Sequence, residues 1–159
     1  MIKLFVLPKN TENEEKTVLF VCVENSGRSQ MAEGFFRKYA PRGYAASSAG
    51  TRPSGQINPL AIQVMKELEI DISKQKSKVI TEDMIRNATV RVNMGCMDNK
   101  ESCPTLFFHN LIEWGMEDPK GKPIEKVREI RDDIEQKVRQ LAADLVKGSP
   151  KIRSVLLLR

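Results

Sequence analysis

A four-residue apolar run, Val18–Val21, followed by a polar turn and then by apolar residues at helical spacing, constrains the fold more than any other stretch of the chain. The run is too short for a buried helix and carries β-branched residues, so it reads as a strand covered on both faces, as in a parallel sheet. Beyond Arg28, the residues Met31, Ala32, Phe35, Phe36 and Tyr39 recur with the period of a helix, and Pro41 ends the pattern. The alternation continues downstream. Gly43–Ser48 reads as a short strand. Asn58 followed by Pro59, and Thr81 followed by Glu82 and Asp83, read as helix starts. Val90–Met94 and Leu106–Trp114 read as strands, the former interrupted by Arg91 and Asn93. Pro123 opens the longest helix, whose stripe of Val127, Ile130, Ile134, Val138, Leu141 and Leu145 runs on to Gly148. Strands alternating with helices imply right-handed βαβ units around one parallel sheet, with ligands bound beyond the carboxyl ends of the strands.

The residues with reactive side chains fall at that rim. Between the first strand and the first helix lies Cys22-Val23-Glu24-Asn25-Ser26-Gly27-Arg28-Ser29. A loop entering a helix N-terminus gathers backbone N–H groups into a concavity where the helix dipole favours negative charge. Gly27 permits close approach, and Arg28 can clamp two oxygens of a tetrahedral oxyanion. Cys22 then sits on the floor of the cradle, where the same groups favour its thiolate. Ser29 is placed to donate to the sulfur, and Asn25 to brace the loop. A cysteine and an arginine at this spacing also recur by chance, as an inert strand-end thiol and a surface arginine. The strand before and the helix after give the spacing its meaning.

Two later stretches follow predicted strands and can reach the same rim. Cys96 and Cys103 are too far apart for a Cys-x-x-Cys redox pair, and with His109 the only histidine a zinc site is a poor fit. Spacing leaves two readings, unrelated thiols or a pair that forms a disulfide after Cys22 has reacted. The second demands movement. Residues seven apart on a helix are separated by roughly 10 Å, whereas a disulfide holds Cα atoms within about 7 Å. In Asp118-Pro119 the proline restricts Asp118 to extended backbone and can project its carboxyl group as a general acid, with Glu117 the competing carboxylate. Trp114 reads as a packing anchor and His109 as structural.

Composition bounds the rest. A chain of 159 residues, 40% hydrophobic and 30% charged, is enough for one domain with a full core, expected to span residues 1–159. The net charge of +5 is spread over scattered lysines and arginines with few aromatics, which argues against nucleic acid and for mild attraction of anionic substrates. No apolar stretch is long enough to cross a bilayer, and Met1–Pro8 lacks the layout of a signal peptide. Three cysteines argue against a secreted disulfide scaffold and for a reducing cytoplasm. Ile2–Leu7 and Val155–Leu158 are apolar, and read either as edge strands or as loose ends.

From about Lys16 to Val146 the chain resembles the low-molecular-weight tyrosine phosphatase superfamily, and within it most closely the thioredoxin-coupled arsenate reductases. The phosphatases share the Cys22–Arg28 loop, Ser29 and Asp118-Pro119, but carry aromatic residues where this chain has Lys120-Gly121-Lys122. Gln30-Met31-Ala32-Glu33, Ser48-Ala49-Gly50, Asp71-Ile72-Ser73, Cys96…Cys103-Pro104 and Trp114–Lys122 are similar to the reductases. The resemblance implies a flavodoxin-like three-layer α/β sandwich, a four-stranded parallel sheet flanked by helices. It also implies a relay: Cys22 attacks arsenate, Asp118 protonates the departing oxygen, Cys96 attacks Cys22 and releases arsenite, and Cys103 takes over the disulfide that thioredoxin reduces. No cofactor or metal is expected. Some reductases hold potassium through an Asn, a Glu, a Ser and an Asp. Asn25, Glu33 and Ser48 match the first three, while Lys78 stands at the fourth, its ammonium taking the place of the ion. Gly27 stands where many relatives have a second cysteine. The competing implication is a protein tyrosine phosphatase using Cys22, Arg28 and Asp118.

Overall fold

Strand β1 (Lys16–Cys22) is the spine of a four-stranded sheet in the computed structural model, which describes residues 15–95 and 111–148. Its neighbours are β2 (Tyr44–Gly50) on one side and β3 (Val90–Asn93) on the other, and β4 (Leu111–Glu113) lies beyond β3. All three pairings are parallel. Helix α1 (Arg28–Tyr39) joins β1 to β2, α2 (Pro59–Lys66) and α3 (Glu82–Asn87) lie between β2 and β3, and α4 (Ile124–Val146) follows β4.

The two-sided burial expected of Val18–Val21 is complete, and each of these residues is fully buried. Because side chains alternate along a strand, Val18, Phe20 and Cys22 join the core formed with α1, α2 and α4. Leu19 and Val21 face the other way, against Ile85 and Ala88 from the α3 region. The result is helix, sheet, helix, the expected three-layer sandwich. Phe20 packs edge-on to Phe36 at 5.9 Å and against Trp114 at 5.8 Å, so Trp114 is a packing anchor, as expected. A fully buried apolar side chain of this size contributes roughly 1.5–3 kcal/mol.

Local signals act where the sequence placed them. The Asn58 side chain accepts from Leu60 N at 2.9 Å, with Pro59 at the first helical position of α2. Thr81 accepts from Met84 N at 3.2 Å to start α3. All six stripe residues of α4 are buried. The polar residues of β3 are accommodated rather than disruptive. Buried Arg91 donates from Nε to Ile85 O at 2.8 Å, and Asn93 Oδ1 accepts from Gly95 N at 3.0 Å. β2 extends two residues beyond the expected strand, because its small residues pair along the whole of β1, from Lys16↔Tyr44 to Cys22↔Gly50. Of the expected Leu106–Trp114 strand, only Leu111–Glu113 appears as strand, and residues 106–110 lie outside the described residues.

The register fixes the site. Cys22 pairs with Gly50, Val21 with Asn93, and Asn93 with Glu113. The strands therefore end level, and the loops leaving β1, β2, β3 and β4 share one rim.

Candidate active site

The loop from Cys22 to Arg28 wraps around its own thiol. Asn25 adopts φ +48, a left-handed turn that asparagine tolerates better than most residues, and so aims its N–H at Cys22 Sγ over 3.2 Å. Ser29 Oγ lies 2.8 Å from the same sulfur. Ser29 Oγ also accepts from Asn25 Nδ2 at 2.8 Å, which leaves its own hydrogen free to point at Sγ. The expected roles of Ser29 and Asn25 thus form one connected set. Gly27, the residue before α1, supplies no side-chain cap, so the first N–H groups of the helix remain available to an anion.

A second layer braces the loop from outside. Lys78 N donates to Asn25 Oδ1 at 3.0 Å, Ser77 Oγ to Glu24 O at 3.0 Å, and Gln30 Nε2 to both Asn25 O at 2.9 Å and Lys76 O at 3.0 Å. The loop after β2 closes another side through Arg52 N to Val23 O at 2.8 Å and Asn58 N to Ser26 O at 2.9 Å. None of the residues 75–78 was singled out for this role from sequence. Each contact spans about fifty positions and carries no local signature, although Gly50 at the end of β2 marked the rim where they meet.

Arg28 is buried, not a surface arginine. Its NH1 donates to Met94 O at 2.9 Å and Met116 O at 3.0 Å, fastening the guanidinium to the loops that leave β3 and β4. Its side chain lines the cleft, with NH2 3.8 Å from Asp118 Oδ2. Gly95 sits directly against this group. Its φ is +127, and a Cβ there would come within 2.1 Å of Arg28 NH1. Gly95→Ala is therefore expected to strain the backbone and push the guanidinium off its carbonyl anchors. Oxyanion turnover should fall by roughly 10²-fold, the scale of losing one positioned donor. Steady-state rates together with a circular dichroism melt check this, because a loss of activity in a folded variant is the expected pattern.

Asp118 reaches the cleft from the opposite wall. Its carboxylate accepts from Lys120 N at 3.0 Å, a local turn that holds the side chain half-exposed. Pro119 is buried against the loop, and a Cβ on Gly27 would approach its Cγ to 2.8 Å. Glycine at this position lets the Asp118 loop seat on the cradle. The cleft of about 390 Å³ is lined by Cys22, Glu24, Ser26, Gly27, Arg28 and Asp118 among others. Glu117, the competing carboxylate, faces a separate cleft with Lys126. There Lys126 at 3.2 Å and Lys122 at 3.4 Å hold it, and the Lys126 hydrogen bond draws its carboxyl below the ordinary range.

The seven residues expected to form the oxyanion loop, Val23 to Ser29, make the turn between β1 and α1 and the first two positions of α1. Cys96, Cys103 and His109 lie outside the described residues. The role foreseen for Lys78 is corrected. Its ammonium lies 3.4 Å from Lys76 O, and Glu33 instead takes its counter-charge from Arg37 at 2.9 Å while accepting from Ser48 Oγ at 2.8 Å. Asn25 Oδ1 is engaged by the Lys78 N–H. The donors of the supposed potassium set are therefore satisfied by protein groups, and among the described residues no cluster of three or more acidic, cysteine or histidine side chains suits a metal.

A buried thiol ringed by donors, a carbonyl-anchored arginine and a carboxylate across a cleft at the rim of a parallel sheet define a class, the α/β proteins with a cysteine-based oxyanion loop. Residues 17–151 match the low molecular weight phosphotyrosine protein phosphatase family, and the chain belongs to it. An arsenate reductase of Brevibacillus brevis is 40% identical over 129 residues, covering 80% of this chain and 95% of the relative. Among solved structures, an arsenate reductase in the phosphate binding state superposes with a TM-score of 0.73 at 35% identity, covering 81% of this chain and 98% of the other. A thioredoxin-dependent arsenate reductase of Corynebacterium glutamicum gives 0.71 at 30% identity, covering 86% of this chain and 64% of that one.

Proposed function

We propose that this protein reduces arsenate to arsenite, with Cys22 as nucleophile, Arg28 and the loop N–H groups as oxyanion donors, and Asp118 as general acid. The observation that carries the oxyanion chemistry is the convergence of Cys22, Arg28 and Asp118 on one cleft. Arsenate rather than a phosphate ester is favoured by the relatives named arsenate reductase and by the two further cysteines in the chain. Among the described residues no aromatic side chain lines the cleft to hold a phosphotyrosine ring.

In this reading the Cys22 thiolate bonds to arsenic while an oxygen leaves with a proton from Asp118. Cys96 then attacks the Cys22 sulfur. The sulfur–arsenic bond breaks with its electron pair going to arsenic, so arsenite departs and two thiols become one disulfide. Cys103 attacks Cys96 and frees Cys22, and a thioredoxin dithiol reduces the Cys96–Cys103 bond. Phosphorus does not take up the electron pair in this way, so a phosphorylated Cys22 would be resolved by water, and weak hydrolysis of aryl phosphates is expected as a side activity. The setting is cytoplasmic, the chemistry needs no cofactor, and the fold is carried by one domain. No helix among the described residues is long and apolar enough to cross a membrane.

The test is arsenite production with thioredoxin, thioredoxin reductase and NADPH, set beside aryl phosphate hydrolysis. Efficient ester hydrolysis without arsenite would make the phosphatase reading the better one. Within that assay Asp118→Asn should slow the first chemical step by roughly 10²–10⁴-fold with little change in oxyanion binding. Glu117→Gln, in the other cleft, should leave the rate near that of the parent. The reverse pattern would assign the acid to Glu117.

A further inference from the structure

An anion cleft is a costly place for an unneutralised carboxylate, yet Glu24 belongs to the cradle loop itself and lines the same cleft as Cys22 and Arg28. Its Oε1 accepts from Lys120 Nζ at 2.7 Å. Lys120 comes from the opposite wall, 96 positions along the chain, in the turn that carries Asp118. The pair therefore ties the two walls of the cleft together beside the Gly27–Pro119 contact. We propose that the Glu24–Lys120 ion pair is a specificity gate, favouring a free tetrahedral oxyanion over an oxyanion ester with a bulky organic group. This deepens the oxyanion-site reading and rests on it.

The argument is geometric and electrostatic. Attack by Cys22 from the floor requires the leaving group on the far side of the central atom, toward the mouth. For a free oxyanion that group is a single oxygen beneath Asp118. For an ester it is an organic substituent that has to pass between the walls the pair joins. Among the described residues the apolar lining it would meet is Ile57, Pro59 and Pro119. Opening the pair also leaves the Glu24 charge facing a substrate of the same sign. An exposed ion pair does little for folding stability, so its effect should be read in substrate choice. The Glu24 carboxylate, by hydrogen bond and charge, raises the ammonium pKa of Lys120 above its ordinary value, consistent with a pair closed at neutral pH.

The experiment compares Glu24→Gln, Lys120→Ala, their combination and Lys120→Arg with the parent protein, using arsenate and para-nitrophenyl phosphate. Glu24→Gln should raise kcat/KM for the ester relative to arsenate by about tenfold, because the untied walls admit the organic substituent while the loss of the like charge acts on both anions alike. Lys120→Ala should raise KM for both anions with a smaller change in kcat, because it leaves Glu24 uncompensated. In the Glu24→Gln background the same change should have little further effect on KM, and Lys120→Arg should retain the parent's discrimination. Unchanged discrimination in Glu24→Gln, or independent effects of the two substitutions, would overturn the gate. Failure of arsenate or phosphate to protect Cys22 of the parent from iodoacetamide would instead overturn the oxyanion-site reading beneath it.

Discussion

Arg28→Lys is expected to cut arsenate turnover by roughly 10²-fold or more, although it keeps the positive charge. The reason lies in the division of labour within the guanidinium. NH1 is committed to Met94 O and Met116 O, which fixes the group in place, and the rest of the fork is left to the oxyanion. A lysine ammonium has three donors on a flexible stem and no second nitrogen held in plane with the first. If it bonds the two carbonyls, it leaves the anion without a clamp. If it turns to the anion, the Met94 and Met116 carbonyls lose their partner. Both outcomes reduce transition-state stabilisation while Cys22 stays in place with its Asn25 and Ser29 donors. The measurement is single-turnover arsenite release together with iodoacetamide labelling of Cys22. The expected pattern is slow release and weakened protection by phosphate, with the labelled thiol still accessible. A lysine variant that turns over like the parent would mean that charge alone suffices, and the bidentate reading of Arg28 would fall.

The legible and illegible parts of this site divide along physical lines. The Val18–Val21 run carried its two-sided burial in its own composition, and the caps at Asn58 and Thr81 lie within three residues of the groups they bond. The cradle was legible because all of its members are consecutive. Arg28 was legible as a donor but not as a buried, carbonyl-anchored one, since Met94 and Met116 hold it through backbone atoms that any residue would offer. The choice between Asp118 and Glu117 was open in sequence because both are carboxylates in one extended stretch. Successive side chains in extended backbone point to opposite sides, and only the placement of the walls settles which side meets Cys22. The Glu24–Lys120 pair and the bracing by residues 75–78 link distant parts of the chain, and no local pattern encodes them. Lys78 was misjudged for a related reason. Its place in the chain suggested an ammonium in the position of an ion beside Asn25, Glu33 and Ser48, whereas Arg37, one helical turn from Glu33 on α1, was already within reach of that carboxylate.

Cys96→Ser is expected to abolish thioredoxin-driven arsenate turnover while sparing any hydrolysis of aryl phosphate, and this outcome separates reductase from phosphatase. A phosphatase needs one nucleophilic cysteine, because water resolves its phospho-enzyme. Reduction of arsenate needs two electrons, so a second thiol has to attack Cys22. Cys96 is the proposed attacker because it follows β3, whose end abuts the cradle. Met94 O holds Arg28, and Gly95, the residue before Cys96, lies against the same guanidinium. Cys103, seven positions further on, is the proposed carrier of the final disulfide to thioredoxin. Cys103→Ser should therefore release one arsenite per enzyme and then stall as a Cys22–Cys96 disulfide, visible by peptide mapping under non-reducing conditions. The stalled species should not form in Cys96→Ser, and adding thioredoxin should not restore arsenite release there. Steady turnover in both serine variants would show that neither thiol resolves Cys22, and the relay, with the reductase assignment that depends on it, would give way to ester hydrolysis as the activity of this cleft.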